Sequence, residues 1–366
     1  MVKGQLDTPY VLVDLDKVEH NIASMQAVAN RYGVRLRPHA KTHKTPELAH
    51  MQIAAGAIGI TVAKLGEAEV MAAAGINDIM IAYPIVSEAK LARLVALART
   101  AKLTVAVDSC EAAAALSRAL APSGATIDAL VELDCGFGRV GVPRGEPLLR
   151  LARFVAGLAG LKLRGVLTFA GHAYEARGSE QLRAAAAQEG AAAAEAAAMC
   201  RAAGIAMETV SVGSTPSSRY AASCEGVTEI RPGAYLFGDL MQVDIGAHAL
   251  TNCALTVLVT VVSRPAPDRA VIDAGTKLFT MDGNPTTLGT GRGWVIGHPG
   301  IALEWLTEEH GMLRLAPEEQ RLRIGDRLEI VPVHCCGVIS LTDEVAAVRG
   351  DRVESIWKVA ARGQVR

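Results

Sequence analysis

Over the first two-thirds of the chain, short runs of β-branched and aliphatic residues alternate with longer, alanine-rich stretches of helical character. The short runs are 34–40 (VRLRPHA), 57–62 (AIGITV), 78–83 (DIMIAY), 103–107 (LTVAV) and 126–134 (TIDALVELD), followed by 161–169 (LKLRGVLTF), 207–212 (METVSV) and 227–230 (VTEI). Helices are predicted between them over 45–55, 65–74, 87–100, 109–121, 144–159 and 179–203. The last is nearly solid alanine with glutamate and arginine interspersed, a strong helix by propensity. Eight strands separated by helices predict an α/β fold, a (β/α)₈ TIM-type barrel. An open doubly wound sheet would want a glycine-rich turn after its first strand, and RPHAKTHK (37–44) offers none.

After about residue 240 the texture changes. Runs at 251–264, 269–275, 321–333, 344–350 and 352–359 read as strands separated by turn residues, and helical periodicity fades. This predicts a C-terminal all-β domain. The segment TPYVLVDLD (8–16) also reads as a strand and is assigned to the same domain, because the barrel has eight strands without it. The expected division is a barrel over 16–240 and a β-domain made of 1–15 plus 241–366.

Composition narrows the function classes. Half of the 366 residues are hydrophobic, and 37 basic against 38 acidic residues leave a formal charge of −1. Disorder is excluded by the apolar content, and no basic excess points to nucleic acid. The start MVKGQLDTPY lacks the apolar core of a secretion signal, and no uninterrupted apolar run approaches the about 18 residues of a membrane span. Seven irregularly spaced cysteines suit a reducing cytoplasm better than a disulfide framework.

Active sites of such barrels lie at the C-terminal ends of the strands, so the chemistry is sought there. The first strand ends in Arg37-Pro38-His39-Ala40-Lys41-Thr42-His43-Lys44. A desolvated lysine at a barrel mouth has a lowered pKa and attacks carbonyls, which is Schiff-base chemistry. On composition alone, Lys41 and Lys44 also read as ordinary exposed loop lysines. The fifth strand ends in DCGFGRVG, where two glycines permit a tight turn and Arg139 offers a fixed cation or a solvated loop residue. The sixth ends in TFAGHAY, where His172 and Tyr174 face the same way if the chain stays extended. Gly213, Ser214 and Thr215 after the seventh strand, and Gly233 and Ala234 after the eighth, are placed where barrels commonly hold phosphate.

In the β-domain, VPVHCCGVIS puts His334 and Cys336 on one face of an extended strand, with Cys335 pointing away. Imidazole and thiolate on one face make half of a divalent metal site, for which sulfur favours zinc. The alternative is a pair of buried cysteines beside a satisfied histidine. Glu308-Glu309-His310 reads as a surface helix end or part of the pocket.

RPHAKTHK, DCGFGRVGV, GHAY, VGSTP, EIRPGAYLFGD and VHCC occur in this order in D-threonine aldolases and eukaryotic-type D-serine dehydratases, which have the alanine-racemase-like fold of pyridoxal-phosphate enzymes. The chain resembles that family from LDTPYVLVDLD to WKVAARG, nearly its whole length. The resemblance implies pyridoxal 5′-phosphate, a Mn²⁺ or Zn²⁺ ion and a homodimer acting on small D-amino acids. It implies that Lys41 forms the Schiff base, Arg139 meets the cofactor's phenolate oxygen and Tyr174 stands beside its ring. Gly213, Ser214, Thr215, Gly233 and Ala234 would cradle the phosphate, and His334 and Cys336 would ligate the metal. Phe169 departs from the pattern, since many relatives carry histidine there.

The implied activity is cleavage of β-hydroxy-D-amino acids to glycine and an aldehyde, a carbon–carbon lyase reaction, with His172 or metal-bound hydroxide as base. A D-serine dehydratase, a carbon–oxygen lyase, is the alternative. A racemase of this fold uses a tyrosine from the β-domain, and no tyrosine follows Tyr235. A non-catalytic cofactor carrier would resemble the barrel alone.

Overall fold

In a computed structural model of the protein, residues 1–284 and 286–366 are described. The chain opens with β1 (Tyr10–Asp14) and α1 (Leu15–Tyr32), then β2 (Arg35–Leu36), α2 (Pro46–Ala54), β3 (Ile60–Val62) and α3 (Leu65–Ala73). The alternation continues through β4 (Asp78–Ile81), α4 (Glu88–Leu97), β5 (Lys102–Val107), α5 (Cys110–Leu120), β6 (Ile127–Leu133) and α6 (Glu146–Ala156). It ends with β7 (Leu161–Thr168), α7 (Ser179–Ala202), β8 (Thr209–Val212), α8 (Thr215–Ala221) and β9 (Glu229–Ile230).

Strands β2 to β9 form one parallel sheet of eight, in the order β2-β9-β8-β7-β6-β5-β4-β3. The sheet closes on itself. His39 bridges Thr61 in parallel register, and the Ile58 amide donates to the Leu36 carbonyl. The strands read as continuous apolar runs because both faces are covered, as parallel sheets require. Met80, Ala106, Leu130 and Leu167, one from each of β4 to β7, pack together with almost no exposure. Full burial of a leucine contributes about 1.5–3 kcal/mol.

The rest of the chain holds α9 (Leu240–Asp244), β10 (Leu255–Ala266), β11 (Arg269–Ile272), α10 (Thr276–Phe279), β12 (Gly293–Val295) and β13 (Ile301–Leu306). It continues with β14 (Gly311–Leu315), β15 (Arg327–Pro332), α11 (Cys335–Leu341), β16 (Glu344–Arg349) and β17 (Arg352–Lys358). Strands β10, β11, β14, β13, β12 and β15 pair antiparallel in a ring, since β10 bonds both β11 and β15. β1 extends this sheet, antiparallel to β10 and parallel to β16, with Leu12 opposite both Thr256 and Ala346.

Contacts divide the chain into two compact units. One comprises residues 1–22, 42–45 and 234–362; the other comprises 23–41, 46–233 and 363–366. The chain thus leaves the barrel unit for four residues directly after Lys41. Among the described residues, no helix is long and apolar enough to cross a membrane.

Three local expectations are corrected. Glu308-Glu309-His310 is not a helix end but the turn of the β13–β14 hairpin, where Lys277 pairs with both glutamates. His172 and Tyr174 do not lie on extended chain, because Gly171–Glu175 winds into a 3₁₀ turn. Nor does the strand before His334 run on through Cys336. His334 is the last extended residue and caps α11, whose Cys335, Val338 and Ile339 turn inward at helical spacing.

Candidate active site

In the barrel unit, the loops after three strands meet around the Phe169 ring. Lys41, in the 3₁₀ turn Ala40–Thr42, places its Nζ 5.9 Å from the ring centroid. The Arg139 guanidinium lies 4.7 Å from the same centroid and 5.6 Å from that of Phe137. Phe137 meets Phe169 edge-on at 5.8 Å, and Tyr174 stands 6.4 Å away, tilted by 41°. An amine, a permanent cation and three aromatic rings are therefore gathered at one end of the barrel. Cations over ring faces are attracted by the ring quadrupole.

The loop that carries Arg139 is built by one side chain. Asp134 Oδ1 accepts from the amides of Gly136, Phe137 and Gly138 at 2.9–3.0 Å. Burial opposes the Asp134 charge, but the three amides outweigh it and hold its pKa below the usual carboxylate range. The Phe137 ring rests on Gly171, where an added Cβ would approach ring carbons to 2.5 Å. His172 follows; both its ring nitrogens are buried and have no hydrogen-bond partner.

After β8, Gly213 takes φ +93°, Ser214 caps α8, and the Gly233 amide donates to Thr215 Oγ1 at 3.3 Å. Gly213, Ser214, Thr215 and Gly233 thus adjoin, while Ala234 begins the 3₁₀ turn Ala234–Leu236 of the other unit. A Cβ at Gly213 would come within 2.6 Å of Ser218 Oγ, itself bonded to the Ser214 carbonyl. Gly213→Ala is expected to destabilise the protein by about 1–3 kcal/mol in urea denaturation; an unchanged midpoint would refute this packing argument.

Beneath these loops lies a buried charged layer that the sequence did not disclose. Arg37 pairs with Glu229 at 3.1 Å and with Asp78 at 2.5 Å. Arg231 donates to Ser211 Oγ and to the Thr168 carbonyl, and burial pushes its pKa down against the pull of Glu229, Glu189 and Glu132. Arg37 is paired with both carboxylates because an isolated buried charge is too costly to keep.

In the β-unit, His334 and Cys336 sit at the start of α11. His334 Nδ1 lies 2.8 Å from Asp282 Oδ2, which leaves Nε2 for another partner. Cys336 Sγ is 3.4 Å from Thr42 Oγ1. Hydrogen bonding with Cys335, joined by His334 and the Thr42 hydroxyl, outweighs burial and draws the Cys336 thiol well below its ordinary pKa. Burial works against the charge on His334, but the Cys336 thiolate, Asp239 and Asp282 raise its pKa to about 9. Asp239 is fully buried and holds the turn, accepting from the Cys335 amide at 3.0 Å and the Gln242 amide at 2.9 Å. The donor set is an imidazole and a thiolate, the pair that borderline metals prefer. Among the described residues no group of three histidine, cysteine or acidic side chains forms a metal site.

Comparison with known proteins adds to this geometry. The alanine racemase N-terminal domain matches residues 13–241, and a serine dehydratase domain matches 254–348. A D-threonine aldolase of Arthrobacter sp is 40% identical over 98% of this chain and 94% of its own. The chain belongs to the family of D-threonine aldolases and D-serine dehydratases. Another relative within that family, the D-threo-3-hydroxyaspartate dehydratase of Delftia sp., is 37% identical over 96% of this chain and 97% of its own. The crystal structure of D-threonine aldolase from Filomicrobium marinum superposes with a TM-score of 0.93 at 36% identity, covering 100% of this chain and 97% of that one. The family's alanine-racemase-like architecture, a (β/α)₈ barrel followed by an all-β domain, is the one described above.

Proposed function

We propose that this protein is a pyridoxal-phosphate-dependent, metal-assisted aldolase cleaving β-hydroxy-D-amino acids of the D-threonine type to glycine and an aldehyde. The observation that carries the reading is the cluster of Lys41, Arg139 and Tyr174 around Phe169, in a chain that also presents a His334–Cys336 thiolate pair. The residues fit the groups they would hold. A primary amine suits an aldehyde, Arg139 suits a phenolate, and hydroxyls and amides at Gly213, Ser214, Thr215, Gly233 and Ala234 suit a phosphate. His334 and Cys336 suit a divalent ion, zinc or manganese.

When bound, the cofactor supplies an electron sink for the carbanion left by C–C cleavage, and the metal lowers the pKa of the β-hydroxyl. The protein's own part is to hold, orient and move protons. Lys41 would hold the cofactor through its amine, and Arg139 and Tyr174 would orient its ring. His172, whose ring nitrogens are buried and unpartnered, would take the hydroxyl proton at a ring nitrogen. The reading carries with it a cytoplasmic homodimer.

A second reading is supported by Cys336 and by the dehydratase relative from Delftia sp.. There Lys41 would take the α-proton and the metal would assist loss of hydroxide. Incubation with D-threonine and D-serine separates the two. Acetaldehyde with glycine is the expected outcome, and pyruvate with ammonia from D-serine alone would overturn it.

A further inference from the structure

Helix α7 buries a stripe of Leu182, Ala186, Glu189, Gly190, Ala193, Ala197 and Cys200, in which one carboxylate sits among small apolar groups. Glu189 is completely buried. A carboxylate removed from water survives only where hydrogen bonds and opposite charge replace its hydration. A single oxygen, Oε1, accepts from the Ala170 amide at 3.1 Å and from the Gly213 amide at 3.0 Å. Burial raises the pKa of Glu189, while Ser217, these two amides and Arg231 oppose that rise.

The two amides are not ordinary loop amides. Ala170 stands one residue after Phe169 and two before His172; Gly213 stands directly before Ser214 and Thr215. Arg231 ties the same two strands from the other side, at the Thr168 carbonyl that ends β7 and at the Ser211 hydroxyl in β8. Close approach of α7 to its neighbour is secured at the next residue, Gly190, where a Cβ would meet Cys224 Sγ at 2.5 Å.

We propose that Glu189 is a positioning residue whose single carboxylate oxygen locks the loop bearing Phe169, His172 and Tyr174 to the loop bearing Gly213, Ser214 and Thr215. It thereby sets the spacing between the ring end and the phosphate end of the cofactor site. The inference rests on the cofactor reading given above. Without the carboxylate, two buried amides lose their acceptor and Arg231 loses one of its compensating charges.

The test uses the full-length protein stripped of cofactor and titrated with pyridoxal phosphate. Glu189→Ala is expected to raise the dissociation constant about tenfold or more, the equivalent of one unmade buried hydrogen bond. Glu189→Gln, which keeps an oxygen at the same reach, should stay within about threefold of wild type. Cys200→Ala, a cavity on the same stripe, should lower the melting temperature without moving the dissociation constant. An unchanged dissociation constant in Glu189→Ala, or an equal rise in Cys200→Ala, overturns the proposal. Should Glu189→Ala not fold, Glu189→Asp takes its place, since the shorter side chain cannot span both amides.

Hydrogen exchange at Ala170 and Gly213 in the cofactor-free protein separates this inference from the reading beneath it. Both amides should lose protection together in Glu189→Ala or Glu189→Asp, and unchanged protection sinks the lock whatever the cofactor does. Coupled loss of protection, in a protein whose wild type binds no pyridoxal phosphate, would uphold the lock and refute the cofactor reading instead.

Discussion

If Lys41 holds the proposed pyridoxal phosphate, its replacement with alanine should remove the visible absorbance of the lysine-bound cofactor and lower turnover of D-threonine by about 10³-fold or more. Such a loss corresponds to about 4 kcal/mol of transition-state stabilisation. The effect is large because the side chain has no substitute in place. Lys41 is the amine beside the Phe169 ring and the Arg139 guanidinium. Its neighbour Lys44 belongs to the other unit, where its backbone takes φ 53° and its carbonyl accepts from the Ala361 amide. Lys41 is only partly buried and lies in a single 3₁₀ turn, so the variant should melt close to wild type. Absorbance that persists in the purified variant, or that disappears in Lys44→Ala instead, would show the assignment to be wrong.

Loss of either His334 or Cys336 should weaken divalent-metal binding by about 10²-fold or more and stop turnover of β-hydroxy-D-amino acids. With two protein ligands in the set, removing one leaves a single anchor. Asp282→Ala should cost less, about tenfold, because that carboxylate orients His334 through Nδ1 and is not itself one of the proposed ligands. Cys336→Asp replaces a soft ligand by a hard one and should shift preference from zinc toward manganese. Metal content measured alongside turnover decides the matter. If His334→Ala binds as much metal as wild type, or turns over every substrate unchanged, the metal assignment falls.

Much of the architecture could be read from periodicity. The β-branched runs and alanine-rich intervals of the first two-thirds become β2 to β9 and α2 to α7 with shifts of a few residues at their ends, because propensity and burial agree there. Between 276 and 320 they do not agree. β12 has three residues, and the interval before it is broken by Gly283, Gly289 and Gly291, so no alternation accumulates. The extended reading of VHCC failed for a different reason. Asp239, almost a hundred residues earlier, accepts from the Cys335 amide and starts a helix that local pattern does not announce.

Of the proposed site, what was legible is the set of reactive residues that follow strand ends, as at Lys41, Arg139, His172 and Gly213. It was not legible where a buried group acts on backbone. Glu189 and Asp239 each hold two amides that no spacing rule identifies. The one signal available for Glu189 was Gly190 beside it, a helix-weakening residue inside an otherwise alanine-rich helix.

The pairing of β1 imposes an order on how the protein is made. Leu12 is polymerised 244 residues before its partner Thr256 and 334 before its partner Ala346. At about 5–20 residues per second, Leu12 waits roughly 17–70 s for Ala346. Until Thr256 emerges the barrel strands can assemble while YVLVD remains an unpaired apolar segment of the kind that recruits other chains, and one of its edges stays open until Ala346. Burden on cellular chaperones should therefore fall on the nascent β1 segment, and be relieved as β10 and then β16 emerge.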